Sequence, residues 1–238
     1  MATQIRKAAV TATARHRETL VATMEEAVVA YDRGRYSDAA RGAKLVADEA
    51  PGVQAVRELA GLAAYRSGRW RDAVRHLEAL SALGDGTDHV PALMDSYRAL
   101  GRRARVSEQW SELRRRSPGA DILAEARMVA AGTLADGGDL TGAIALLAGS
   151  GAAKALRNPA DRHLRQWYAL GDLYERAGDM PRARELFGRV ARADPEAYDA
   201  SERLEGLGPE RPRRSRRQRP VAKERPGPVT RGRSGPEH

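Results

Sequence analysis

The chain has 238 residues, with 41 Lys/Arg against 32 Asp/Glu, a formal net charge of +9 and no cysteine. Without cysteine, disulfides, thiolate metal sites and a cysteine nucleophile are excluded, and no apolar run approaches the ~18–20 residues of a membrane-spanning helix. Phenylalanine occurs once, small residues abound and no β-branched alternating run is present, a composition that favours closely packed helices over a sandwich or barrel.

The basic character belongs to the two ends. From Pro209 onward ten Arg/Lys stand against three Glu, and residues 1–19 carry four against one, so the body between them is close to neutral. Only Lys7, Lys44, Lys154 and Lys223 are lysines, the usage expected of a GC-rich coding sequence.

In chain order, residues 1–19 are expected to be flexible or partly helical, too weakly apolar for a cleaved leader. A first helical pair begins near Leu20, with Ala27, Gly34, Tyr36, Ala39 and Pro51 at its key positions. A second pair follows with Gly61, Gly68, Trp70, Ala73 and Leu77, and Ala39 to Ala73 is 34 positions. The third (Leu93, Tyr97, Gly101, Val106, Trp110, Leu113, Pro118) and fourth (Leu134, Gly138, Leu140, Ala143, Leu147) are more divergent. Extra residues fall between these two and around Gly149–Asp161.

The fifth pair is the most regular. Trp167, Leu170, Gly171 and Tyr174 have the spacing W-x2-L-G-x2-Y and share one helical face, followed by Ala183, Phe187 and Pro195. Gly178 follows the first helix where a left-handed terminator is needed, Asp179 suits the N-cap of the second, and Pro181 fits its first turn. This stretch resembles the tetratricopeptide repeat (TPR), a helix-turn-helix unit of about 34 residues. The overall layout is also similar to that of actinobacterial TPR proteins.

The resemblance implies an all-α, TPR-type helical-hairpin solenoid of about five repeats over residues 20–208. Pro195–Leu207 would be a capping helix. Residues 209–238, rich in Arg and Pro and nearly devoid of apolar side chains, are expected to be a disordered tail.

No catalytic constellation is present. The five histidines are dispersed, and Gly149-Ser150-Gly151 with Lys154 lacks both the G-x4-G-K-[ST] order and a preceding strand, so it is a connecting loop and not a phosphate loop. Gly84-Asp85-Gly86-Thr87-Asp88, between two helices, is a turn with an N-cap. The expectation is a cytoplasmic, non-enzymatic protein with no metal and no cofactor.

In TPR proteins the first helix of each unit lines a concave groove. Carried over by position, that groove would hold Met24, Val28 and Tyr31, then Glu58, Leu62, Tyr65 and Arg66, then Asp95 and Arg98. Met128 and Asp136 follow, and finally Arg165, Tyr168, Asp172, Glu175 and Arg176. The bland alternative is that these are solvated helix faces. The resemblance further implies a scaffold or adaptor that binds a protein or peptide segment. The lysines and asparagines with which one TPR subclass clamps a C-terminal carboxylate are missing: Met24, Glu58, Pro91, Met128 and Tyr168 stand at the lysine positions.

The cluster Arg211, Arg213, Arg214, Arg216, Arg217 and Arg219 leaves three readings open. It is a solubilising tail, a salt-sensitive contact to nucleic acid or ribosome, or a contact to an acidic partner or to the chain's own groove. A nucleic-acid-associated protein is therefore the alternative function.

Overall fold

The computed structural model describes residues 1–208. The 209–238 segment, with its arginine cluster, lies outside the described residues. Twelve α-helices and no strand occur among those described.

A short helix α1 (Ala2–Ala8) precedes five antiparallel pairs: α2 (Ala14–Asp32) with α3 (Tyr36–Glu49), α4 (Gln54–Arg66) with α5 (Trp70–Leu83), α6 (Val90–Ala99) with α7 (Arg103–Arg115), α8 (Ala120–Asp136) with α9 (Leu140–Leu147), and α10 (Asp161–Arg176) with α11 (Met180–Ala193). A last short helix, α12 (Ala200–Gly206), closes the stack.

One turn recurs in every pair. Gly34, Gly68, Gly101, Gly138 and Gly178 all take φ between +71° and +89°, where a side chain would be strained. The residue after each glycine donates its N–H back to the carbonyl five positions earlier: Arg35 to Ala30, Arg69 to Ala64, Arg102 to Tyr97, Asp139 to Leu134 and Asp179 to Tyr174, at 2.8–3.0 Å. These bonds satisfy carbonyls that a helix end leaves open. In the last two pairs an aspartate also caps the second helix, Asp139 accepting from Gly142 N at 2.7 Å and Asp179 from Arg182 N at 3.2 Å.

Close helix approach follows from missing side chains. A Cβ on Gly171 would lie 2.9 Å from Phe187 Cε1, and one on Gly61 would collide with the Leu77 side chain. Ala39, Ala73, Ala143 and Ala183 are buried at the equivalent crossings, with Val106 in the third pair. Helices of this length are marginal alone in water, so their stability comes from burying each apolar stripe on the next pair. The core is accordingly a succession of clusters along the stack, with Ile5, Met24, Val46 and Val56 at one end, Tyr97 and Trp110 in the middle, and Leu147, Trp167 and Leu170 at the other.

Three boundaries differ from the sequence expectation. Residues 1–19 include α1, whose Ile5 is buried against Leu20 and Val21, and the first six residues of α2. The second helix of the fourth pair stops at Leu147 and widens into a π-type turn at Ala148–Ala152, where Gly151 takes φ +83°. The closing helix starts at Ala200: Asp194 holds the preceding turn through Glu196 N at 3.0 Å, and Tyr198 takes φ +57°.

Candidate functional site

The first helices α2, α4, α6, α8 and α10 carry the groove residues expected from the sequence. Met24 is a correction. It is 0% exposed, because it lies three or four residues from Leu20, Val21 and Ala27 and so shares their inward stripe. Val28 and Tyr31 are half-buried on α2, Glu58 is exposed on α4, and Leu62 is half-buried against the middle cluster.

Most of the polar groove residues are tied to a neighbouring helix. Tyr65 on α4 donates its hydroxyl to Asp95 Oδ2 on α6 at 3.0 Å. Burial and the Asp95 carboxylate push the Tyr65 pKa up to about 12. Arg66 donates to the Tyr36 hydroxyl at 2.8 Å and lies 4.7 Å over its ring, while Tyr36 meets Tyr31 edge-on.

Between α6 and α8, Arg98 Nε reaches Asp136 Oδ2 at 2.6 Å and Nη1 lies 3.5 Å from Asp95 Oδ1. Arg98 holds the Asp136 carboxyl below the ordinary carboxylate range. Between α10 and α8, Arg165 Nη1 donates to Glu125 Oε1 at 2.5 Å and Arg176 Nη2 to the Ala135 carbonyl at 3.4 Å. Arg176 also lies 3.7 Å from Asp172.

At the last step Arg203 of α12 lies against Tyr168, Asp172 and Glu175. It donates to the Tyr168 hydroxyl at 3.2 Å and to Asp172 Oδ1 at 2.9 Å, pairs with Glu175, and sits 4.6 Å over the Phe187 ring. Burial and the Asp199 hydrogen bond raise the Tyr168 pKa, against the opposing effect of Arg203. Glu125, Asp199 and Arg203 belong to this network although the sequence does not single them out, and Tyr36, read there only as a repeat position, joins it as well. They come from outside the expected groove set and join residues 28–40 positions apart, so no local spacing signals them.

One part of the face stays open. A concavity of about 360 Å³ between α6, α8 and α10 is rimmed by Asp95, Arg98, Asp172 and Arg176. Met128, Tyr168, Val129, Ala131, Gly132, Ala169, Leu173 and Leu147 supply the rest of its lining. Arg98 lies across Gly132, whose Cβ would come within 2.8 Å of the guanidinium carbon. Six residues of the expected groove set, Asp95, Arg98, Met128, Tyr168, Asp172 and Arg176, are thus brought around one hollow. Tyr31, Arg66, Glu58 and Arg165 lie outside it.

Of the histidines, His76 and His89 are buried in side-chain hydrogen bonds, to Arg57 at 3.0 Å and Ser81 at 2.6 Å respectively. Among the described residues no group of three His, Cys, Asp or Glu is arranged to hold a metal ion, and no helix is long and apolar enough to cross a membrane.

Tandem antiparallel helix pairs with a first-helix groove define a helical-repeat solenoid. The tetratricopeptide-repeat family model matches residues 168–204. A crystallised thermophilic TPR protein of Thermus thermophilus, TTC0263, is similar at a TM-score of 0.59 and 18% identity, over 79% of this chain and 98% of that one. The TPR domain of P58(IPK) aligns at 13% identity over 81% of this chain and 65% of its own, with a TM-score of 0.34 that carries no weight. No curated protein matches the chain. Residues 168–204 thus carry a tetratricopeptide repeat, and the described helix pairs share the fold of a solved TPR protein.

Proposed function

We propose that the chain is an interaction scaffold that binds a segment of another protein in its first-helix groove, centred on the concavity between α6, α8 and α10. The observation that carries this reading is the make-up of that hollow: an apolar floor at Met128, Val129 and Leu173 with both charge signs on its rim. Such a surface suits an apolar anchor side chain flanked by polar or charged neighbours, docked as a helix or an extended strand. The neighbouring ion pairs hold the first helices in register, so the hollow is preformed and little ordering cost falls on binding. A carboxylate clamp is no part of the mechanism, since Met128, Glu58 and Tyr168 stand where lysines would be needed.

Random-peptide display on the full chain tests the proposal, with Gly132→Trp to fill the hollow and Met128→Glu to charge its floor. Peptides enriched on the native chain and lost on both variants, each helical by circular dichroism, are the expected result. Peptides retained by both variants would place binding elsewhere.

A further inference from the structure

The groove does not use a second cavity, of about 380 Å³, where the α9–α10 connection folds against α8 and α10. Its lining draws Arg127 from α8, Lys154 from the connection, and Arg162 and His163 from the first turn of α10. No carboxylate lines it. It takes the N-terminal half of α8, through Ala120, Leu123, Ala124 and Arg127, whereas the hollow takes Met128, Val129, Ala131 and Gly132 further along the helix.

Three cations gathered in one recess with no counter-charge in its walls is an unfavourable arrangement by itself. Arg162 has a carboxylate partner, Asp121 Oδ1 at 3.1 Å, which is exposed to solvent. Arg127 has none: it lies 5.7 Å over the Trp110 ring, and burial with the nearby Arg114 guanidinium lowers its pKa. Lys154 also lacks a carboxylate; its chain lies over Gly151, whose Cβ would be 3.8 Å from Lys154 Cδ.

Gln166 gives an independent sign. It is 6% exposed and lines this cavity, yet its amide has no hydrogen-bond partner in the protein. Among the described residues no fully sealed side-chain nitrogen or oxygen lacks a partner, so this amide opens into the cavity. An amide this deeply placed is costly to leave unsatisfied. His163 adds a donor: its Nδ1 accepts the Ala160 N–H at 2.9 Å, which leaves the ring proton on Nε2.

We propose that this cavity is an anion site for a small phosphate ester, with Arg127, Lys154 and Arg162 neutralising the phosphate and Gln166 hydrogen-bonding it. The organic part rests on Leu156 and Trp167, which supply apolar wall. The volume lies at the lower end of the ~300–1,000 Å³ of small-molecule sites, enough for a compact ester. The Gly-Ser-Gly-x2-Lys stretch therefore contributes a lysine to an anion recess between helices, and not the backbone cradle of a strand–loop–helix phosphate loop.

Calorimetric titration of the full chain near 0.15 M salt with adenosine monophosphate, inorganic phosphate and adenosine tests this. Binding of the monophosphate but not of adenosine is expected. Inorganic phosphate binding as tightly as the monophosphate would still support the anion site and identify free phosphate as its source. The pair Arg127→Gln and Lys154→Gln should weaken binding at least ~10-fold. Arg213→Gln with Arg214→Gln, which removes the same charge from the C-terminal arginine cluster, should leave it unchanged. Gln166→Leu keeps volume and charge and should weaken binding ~3–10-fold. If the cavity pair does not fold by circular dichroism, Gln166→Leu and Arg162→Gln carry the test. Adenosine binding as well as its phosphate, equal loss in the arginine-cluster variant, or no binding of any phosphate compound at millimolar concentration would each overturn the proposal.

Discussion

Arg203 Nη2 donates to Asp172 Oδ1 at 2.9 Å, and through this contact the seven-residue helix α12 closes the end of the stack. The same guanidinium pairs with Glu175 and covers the Phe187 ring, so one side chain satisfies two carboxylates and shields the last aromatic of the core. A groove that is open at α6–α8–α10 is thereby closed at its C-terminal step.

Arg203→Ala removes the partner from both acids together with a stacked guanidinium. The expected loss is about 1–3 kcal/mol, or a fall of ~2–12 °C in melting temperature for a domain of this size. Differential scanning calorimetry checks it. An unchanged melting temperature would mean that α12 is not held by this arginine.

Gly171 and Phe187 should be strongly coupled. A Cβ at Gly171 meets Phe187 Cε1 at 2.9 Å and Cδ1 at 3.1 Å, and the ring is 0% exposed, so it has no room to swing away. Gly171→Ala should cost about 1–3 kcal/mol through overpacking and Phe187→Ala ~3–5 kcal/mol through the cavity it leaves. In the double variant the new methyl enters the space the ring vacated. Denaturant titration should therefore find the double variant at least ~1 kcal/mol more stable than the sum of the singles predicts. Strict additivity would contradict the packing.

The five turns are legible in the sequence because a glycine at a fixed point after each first helix, 34 positions apart between Gly34 and Gly68, carries a local backbone demand. The burial of Phe187, Ala183 and Leu170 is legible for a similar reason, since helical spacing alone places them on one stripe. Met24 departs from its expected place because a groove position transfers by alignment, while its own neighbours, Leu20, Val21 and Ala27, put it on the inward row. The pairs Tyr65–Asp95, Arg98–Asp136 and Arg203–Asp172 are not legible. They depend on the register between successive first helices, and insertions of unequal length shift that register from one pair to the next.

His76 makes stability depend on pH. It is 1% exposed, and burial, with Arg75 and Arg57 beside it, lowers its pKa to about 4 from 6.5, while Asp72 and Asp48 oppose the shift. The folded state therefore takes up this proton later than the unfolded state as pH falls. No penalty exists above about pH 6.5, and stability is lost progressively down to about pH 4, by up to about 3 kcal/mol from this residue. His76→Gln keeps an acceptor for Arg57 and removes the titration, so urea midpoints at pH 7.5 and 5 should differ less in the variant. Equal differences in the two proteins would exclude His76 as the source.

The central claim is that the first-helix face between α6 and α10 receives the partner segment. Backbone hydrogen exchange of the full chain, with and without a peptide selected on it, tests this most directly. The account predicts slowed exchange confined to Val90–Ala99, Ala120–Asp136 and Asp161–Arg176. Protection confined to the second helices α5, α7 and α11, with the first helices unaffected, would contradict it.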